Sequence, residues 1–153
     1  MNDAAAAARA IIDILATGDL DAVSSAVAEE YVDHQGLGDV EVRGLHGFRR
    51  VVEAVHESSD VRVTIQDLVA AEDKAALRLR WHGTNHAGRT VTRETLELLR
   101  FADGRLLEHW GAELFRRELG WEAAEGSADP VGRADLEVRI LGLAGGQTPG
   151  MRP

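Results

Sequence analysis

The sequence contains no cysteine among its 153 residues. That absence excludes disulfide bonds, zinc sites built on thiolates and a thiol nucleophile. The sequence also lacks an apolar run close to the roughly 20 residues that a membrane-spanning helix needs. At the amino terminus Asp3 precedes a run of alanines and Asp13 interrupts the apolar stretch. The basic and then apolar pattern of a secretory signal is therefore missing, and we expect a cytoplasmic protein with no membrane partner.

A surplus of positive charge is missing as well. The chain carries 26 acidic against 17 basic residues, which gives a formal net charge of -9. Surfaces that bind nucleic acid or anionic lipid are normally net basic, so we expect no nucleic-acid partner. Hydrophobic residues make up 44% of the sequence, which is enough for the packed interior of one domain of this length.

Helical periodicity dominates the first third of the chain. Apolar residues recur at helical spacing over residues 8–15, and Gly18 follows as a stop signal. Asp19 can cap a second helix, which the pattern carries to about Tyr31. The glycines and acids of residues 33–44 predict a loop. A third helix is predicted around Gly47, with an apolar face made of Phe48, Val51, Val52 and Val55.

The pattern then alternates with a period of two, which is typical of half-buried strands. Strands are predicted over residues 61–66 and 77–82, in a segment ending at Phe101, and from Leu106 to about Glu113. Residues 102–105, Ala-Asp-Gly-Arg, form a strong hairpin signal. Short turns favour antiparallel pairing, so the sequence predicts an α+β domain with three N-terminal helices on one face of an antiparallel sheet.

Three motifs, taken together and in order, resemble the SnoaL-like polyketide cyclases, a group that includes proteins labelled ester cyclases. These are Tyr31-Val32-Asp33-His34, Arg80-Trp81, and the segment from Phe101 to Trp110 that ends in His109-Trp110. The resemblance covers roughly residues 5 to 120. It implies a nuclear transport factor 2-like, cystatin-like fold, in which a curved antiparallel sheet and the helices close a cone around an apolar pocket. We expect this cone over residues 1–121 and an acidic, glycine-rich, partly disordered extension over residues 122–153.

The resemblance also implies a function. The characterised cyclases close a ring by aldol chemistry without a metal or an organic cofactor, and relatives hydroxylate, open epoxides, isomerise or only bind ligands.

Many members of the family are dimers through the outer face of the sheet. Strict alternation places Trp110 and Leu106 on that face here, so we expect a homodimer. The chain departs from the family at Gly111, where the cyclases carry a catalytic aspartate, and Glu113 is the candidate substitute.

His109 and Glu97 are the central candidates for acid–base chemistry. The resemblance places His109 on the inner face, where an imidazole can move protons near neutral pH. Glu97 shares its face with Leu99 and Phe101, and a carboxylate between such neighbours would be partly desolvated, which suits a general base. The alternative for His109 is a purely structural role. The alternative for Glu97 is that its strand faces the other way, so that Glu97 is exposed to solvent.

Asp33 and His34 complete the predicted catalytic set. The resemblance places both at the pocket mouth, where Asp33 could orient the His34 ring. The alternative is a capped helix end beside a surface histidine. The predicted substrate pocket consists of Tyr31, Trp81, Leu99, Phe101 and Glu113.

Two functions remain open at this stage. The first is a cofactor-independent acid–base enzyme acting on a hydrophobic, oxygenated small molecule by cyclisation, isomerisation or epoxide opening. The second is a non-catalytic binding protein with the same pocket, which Gly111 favours; a module that recruits a protein partner is the least favoured. No metal site is predicted, because the spacing of His82 and His86 carries no metal signal on a strand that runs into a loop.

Overall fold

The computed structural model describes residues 3–37, 40–57, 60–84 and 87–114. The predicted extension over residues 122–153 and His86 lie outside the described residues. In chain order the elements are α1 (Ala4–Thr17), α2 (Val23–Ala26), β1 (Val27–Leu37), β2 (Val40–Arg43), α3 (Gly44–His56), β3 (Arg62–Ala71), β4 (Lys74–Thr84), β5 (Thr90–Ala102) and β6 (Arg105–Glu113). The predicted α+β class is confirmed, and the first and third predicted helices match α1 and α3.

Local signals at both ends define helix α1. The Asp3 side chain accepts hydrogen bonds from the backbone N–H groups of Ala5 and Ala6, which satisfies donors that a helix start leaves without partners. At the other end Gly18 adopts a left-handed conformation with φ of 75°, which glycine accepts without steric cost. The face between these caps buries Ala8, Ile11 and Ile12 against the sheet.

The six strands described form one curved sheet in the order β2-β1-β6-β5-β4-β3. Strands β3 to β6 make the predicted antiparallel meander. The tight turn between β5 and β6 places both Asp103 (φ 49°) and Gly104 (φ 77°) in the left-handed region, which matches the twist of paired strands. The β1–β6 pairing is parallel, so the expectation of a wholly antiparallel sheet is wrong at this position.

The predicted second helix is wrong beyond Ala26. Residues 27–37 form strand β1, and part of the predicted loop over residues 33–44 forms β2. Leu20, Val23 and Val27 stand at helical spacing, but from Tyr31 onward burial alternates, with Tyr31 and Asp33 buried and His34 exposed. Pairing with β6 supplies the backbone hydrogen bonds of this segment, so the tertiary partner overrides the local helical pattern.

A β-bulge changes the predicted facing of residues at the start of β6. Arg100 and Phe101 are consecutive on β5, yet their partners Glu108 and Leu106 are two residues apart on β6. Leu107 is therefore an extra residue, and a bulge of this kind reverses the alternation on one side of it. Leu106 is 1% exposed and belongs to the core. Its predicted place on the outer face is wrong.

Candidate active site

The concave face of the sheet and helices α1 and α3 enclose a cavity of about 60 Å³. Most of its wall is apolar, contributed by Ile11, Ile12, Leu15, Phe48, Val51, Val55, Leu79, Trp81, Leu99 and Leu106. Its polar groups come from three neighbouring strands and are Tyr31, Asp33, Gln35, Glu97 and His109. An apolar pocket with a few convergent polar groups is the usual form of a small-molecule site.

The imidazole of His109 lies between two carboxylates. Its Nε2 is 2.6 Å from Glu97 Oε2, and its Nδ1 is 3.1 Å from Asp33 Oδ1. Strand pairing fixes this arrangement, because His109 is directly opposite Asp33 on β1 and opposite Leu99, two residues from Glu97, on β5. The side chains of His109, Asp33 and Glu97 are 16%, 5% and 7% exposed, respectively.

The two carboxylates keep His109 positively charged. Burial alone would lower the pKa of His109, but its hydrogen bonds to Asp33 and Glu97 and the charges of both groups raise it to about 10. At neutral pH the ring is therefore an imidazolium, and both of its N–H groups donate to carboxylate oxygens. With both carboxylates ionised, the three side chains together carry one net negative charge.

Asp33 is fixed by further donors on its own strand. The Tyr31 hydroxyl donates to Asp33 Oδ2 at 3.1 Å, and the backbone N–H of Gln35 donates to Oδ1 at 3.0 Å. Burial, together with the nearby Asp33 carboxylate, holds the pKa of Tyr31 well above its usual value, so the phenol remains a donor. Asp33 is thus suited to hold the His109 ring in place.

Glu97 differs from Asp33 in how much of its hydrogen-bonding capacity is used. Its Oε2 accepts from His109, whereas Oε1 has no hydrogen-bond partner among the described residues. Glu97 also lines the cavity. It is therefore the carboxylate that can accept a proton from a molecule in the cavity, while His109 has both nitrogens engaged.

The predicted pocket residues fall into two groups. Tyr31, Trp81 and Leu99 line the cavity, and the Trp81 indole N–H donates to Thr95 Oγ1 at 3.0 Å. Phe101 is buried in the core but is not among the lining residues.

Glu113 does not lie beside His109, where a substitute for the missing aspartate was predicted. It lies outside the cavity lining, and both of its carboxylate oxygens accept from Arg93 Nη1 at 2.5 Å. The Arg93 side chain is 4% exposed and that of Glu113 is 12% exposed. The acid beside His109 comes instead from the neighbouring strand, as Glu97.

His34 lies on the opposite face of the sheet from the cavity. Its ring stacks on Trp110 with centroids 4.7 Å apart and planes 9° from parallel, and its Nε2 is 3.3 Å from Glu108 Oε1. The predicted place of His34 at the pocket mouth is wrong because consecutive residues of a strand point to opposite faces. Asp33 therefore contacts His109 instead of His34.

Gln35 is a cavity residue that the sequence pattern did not predict. Tyr31, Asp33 and Gln35 follow one another with a period of two, and all three line the cavity. This alternation would have identified Gln35 had the segment been interpreted as a strand.

The described residues contain no group of three or more histidine, aspartate or glutamate side chains arranged to hold a metal ion. Within the same residues, no helix has both the length and the apolar character required to cross a membrane. The Nδ1 atom of His82 lies 3.1 Å from Thr92 Oγ1.

The curved sheet, the helices and the site between them place the chain in a class of small α+β proteins that enclose a pocket. The family model for the SnoaL-like polyketide cyclases matches residues 5–113. The chain therefore belongs to the SnoaL-like polyketide cyclase family, as the motifs predicted. A search of curated protein sequences found no match to the chain.

The chain is also similar in fold to several solved structures. A candidate polyketide cyclase from Bacillus cereus ATCC 10987 is 25% identical, with 76% of this chain and 80% of that chain covered and a TM-score of 0.63. AclR, a candidate hydroxylase from Streptomyces galilaeus, is 23% identical over 75% of this chain and 91% of its own, with a TM-score of 0.59. An NTF2-like protein of unknown function from Burkholderia pseudomallei K96243 is 16% identical over 74% and 92%, with a TM-score of 0.63. The last two show the fold alone, and that fold is the predicted nuclear transport factor 2-like one.

Proposed function

We propose that the protein is a cofactor-independent acid–base enzyme that acts on a hydrophobic, oxygenated small molecule. The observation that carries the proposal is the His109 imidazole held between Asp33 and Glu97 at the polar end of an apolar cavity. The reaction class is proton abstraction next to a carbonyl, as in aldol cyclisation or isomerisation, or the opening of an epoxide. Membership of a cyclase family supports this class.

The geometry supports a proposal in which the three ionisable groups have different roles. Glu97 takes a proton from the carbon next to the substrate carbonyl, so that its carboxylate becomes neutral and the carbonyl oxygen gains negative charge. Protonated Glu97 attracts the His109 cation less strongly, so the Nε2–H group of His109 can then donate to the substrate oxygen. Asp33 remains charged and keeps the ring oriented. General acid–base assistance of this kind contributes roughly 10²–10⁴-fold in rate.

The charge of the cavity narrows the substrate class. Among the described residues, no lysine or arginine lines the cavity. With Asp33 and Glu97 ionised, the charged groups of the cavity sum to one negative charge, so an anionic substrate would be repelled in a setting of low dielectric. We therefore propose that a neutral carbonyl or epoxide group enters the polar end.

The proposal is tested by deuterium exchange of carbonyl compounds. The protein is incubated in D₂O with small neutral ketones and esters and with carboxylates of matched size, and proton NMR follows the loss of the α-proton signals. We expect catalysed exchange for neutral members only. Glu97→Gln should lower that rate about 10²–10⁴-fold, whereas Glu108→Gln, on the outer face, should not change it.

The alternative function is a non-catalytic binding protein with the same pocket. The observation that favours it is Gly111, which leaves β6 without an acid beside His109. Saturation-transfer signals from compounds that bind but show no catalysed exchange would support this alternative. Equal exchange rates for the wild type and Glu97→Gln would contradict the acid–base proposal.

We also propose that the protein is a homodimer through the outer face of the sheet. Leu96, Leu98 and Trp110 are 49%, 40% and 37% exposed there, and Val69 on β3 extends the same apolar patch. Burial of such a patch is favourable at about 25 cal/mol per Å² of apolar surface. Light scattering at micromolar concentration should give twice the monomer mass for the wild type and the monomer mass for Leu98→Asp. A monomeric wild type would contradict the proposal.

A further inference from the structure

Gly111 is a glycine for reasons of space and not of backbone conformation. It lies on β6 directly opposite Glu97 on β5, and it is not among the residues with positive φ. A Cβ atom built at Gly111 would lie closer than 3.0 Å to both Glu97 Oε2 and Gln35 Oε1. Cβ atoms in folded proteins do not approach other atoms that closely, so a side chain here and the present Glu97 position exclude each other.

The atom that would be displaced is the one that contacts His109. Glu97 Oε2 accepts the hydrogen bond from His109 Nε2 at 2.6 Å. We infer that Gly111 is a positioning residue: the gap left by its missing side chain lets the Glu97 carboxylate cross from β5 and pair with His109. Its importance for catalysis rests on the proposed function, whereas its effect on the pair can be measured without a substrate.

The fold can accept a small side chain at position 111, but only if the contact between Glu97 and His109 is lost. Both overlapping atoms are ends of flexible side chains and not backbone, so Glu97 and Gln35 can rotate away. Rotation would take Glu97 from His109, which would then lose one of the two carboxylates that raise its pKa. Gly111→Ala should therefore resemble Glu97→Ala in the charge state of His109.

The inference also predicts a rescue. Because position 111 adjoins the space filled by the Glu97 carboxylate, an aspartate there can place a carboxylate in that space from β6 once residue 97 is shortened. The double variant Glu97→Ala with Gly111→Asp should therefore restore the partner of His109. A purely structural role for Gly111 predicts no such rescue.

The experiment is an NMR titration of the His109 imidazole in the full-length, ¹⁵N-histidine-labelled protein. Gly111→Ala and Glu97→Ala should each lower the pKa of His109 by about one unit or more, a tenfold or greater loss of proton affinity. The double variant should recover most of the shift. The matched control is Ala112→Ser, which adds one atom to the exposed side of the same strand and should leave the titration unchanged.

Two results would overturn the inference: an unchanged His109 titration in Gly111→Ala, or a folded double variant without recovery. If Gly111→Ala does not fold, the same change is made in the Glu97→Ala protein, which lacks the Glu97 carboxylate. A double variant that folds supports the overlap, and one that remains unfolded contradicts it. Because the titration needs no substrate, lack of catalysis in the wild type would remove the proposed function and leave this inference standing.

Discussion

Replacing His109 by glutamine is expected to lower turnover about 10²–10⁴-fold and to leave ligand affinity nearly unchanged. Glutamine can still donate one hydrogen bond, but it carries no charge and cannot supply a proton to the oxygen that becomes negative. Because the apolar wall supplies most of the binding surface, the loss falls on the chemical step. The measurement is kcat and KM for a compound that shows catalysed exchange.

His34→Gln is the matched control for this variant. It makes the same chemical change on the outer face, where His34 stacks on Trp110, and it should leave both constants unchanged. Wild-type turnover in the His109→Gln variant would contradict a catalytic role for the imidazolium. A change of affinity with no catalysed reaction in either protein would favour the binding function.

The stabilising contribution of His109 is expected to disappear in alkaline solution. Its pKa is raised from 6.5 to about 10 in the folded protein, so the folded state binds the proton more tightly than the unfolded chain does. The contribution is fully present below about pH 6.5 and is lost as the pH rises towards 10. Since one pKa unit corresponds to about 1.4 kcal/mol, the change amounts to several kcal/mol at most.

This pH dependence is isolated by comparing the wild type with His109→Gln in urea denaturation between pH 6 and pH 10. The variant leaves two buried carboxylates without the cation between them, and breaking a buried ion pair in this way costs about 3–5 kcal/mol. We expect the difference in unfolding free energy to be largest near pH 6 and to shrink as the pH rises. A difference that is constant or grows with pH would contradict a charged His109 in the folded state.

The local sequence predicted one half of the site. The alternation on β5 predicts that Glu97 faces inward, and the family resemblance implies the same for His109; both line the cavity in the structure. The tight turn pairs Phe101 with Leu106, so it is the extra residue Leu107 that brings His109 to the face of Glu97. These features depend on residues close together in the chain. The bulge at Leu107 was not predicted, because one extra residue in a strand leaves no mark in composition.

The other half of the site depends on a long-range pairing. Asp33 reaches His109 only because β1 lies parallel to β6, and the two strands are far apart in the sequence. Local periodicity instead favoured a helix as far as Tyr31, and that error moved His34 into the predicted site and left Gln35 out. The role of Gly111 likewise follows from Glu97 on the neighbouring strand, which the strand of Gly111 alone does not reveal.

The central claim is that a histidine cation lies between two carboxylates in the cavity, and the ¹⁵N spectrum of His109 in the wild-type protein at pH 7 tests it most directly. The geometry predicts an imidazolium in which both Nδ1 and Nε2 carry protons, and it predicts that this form persists until the pH approaches 10. A neutral His109 ring at pH 7, with only one protonated nitrogen, would contradict the account.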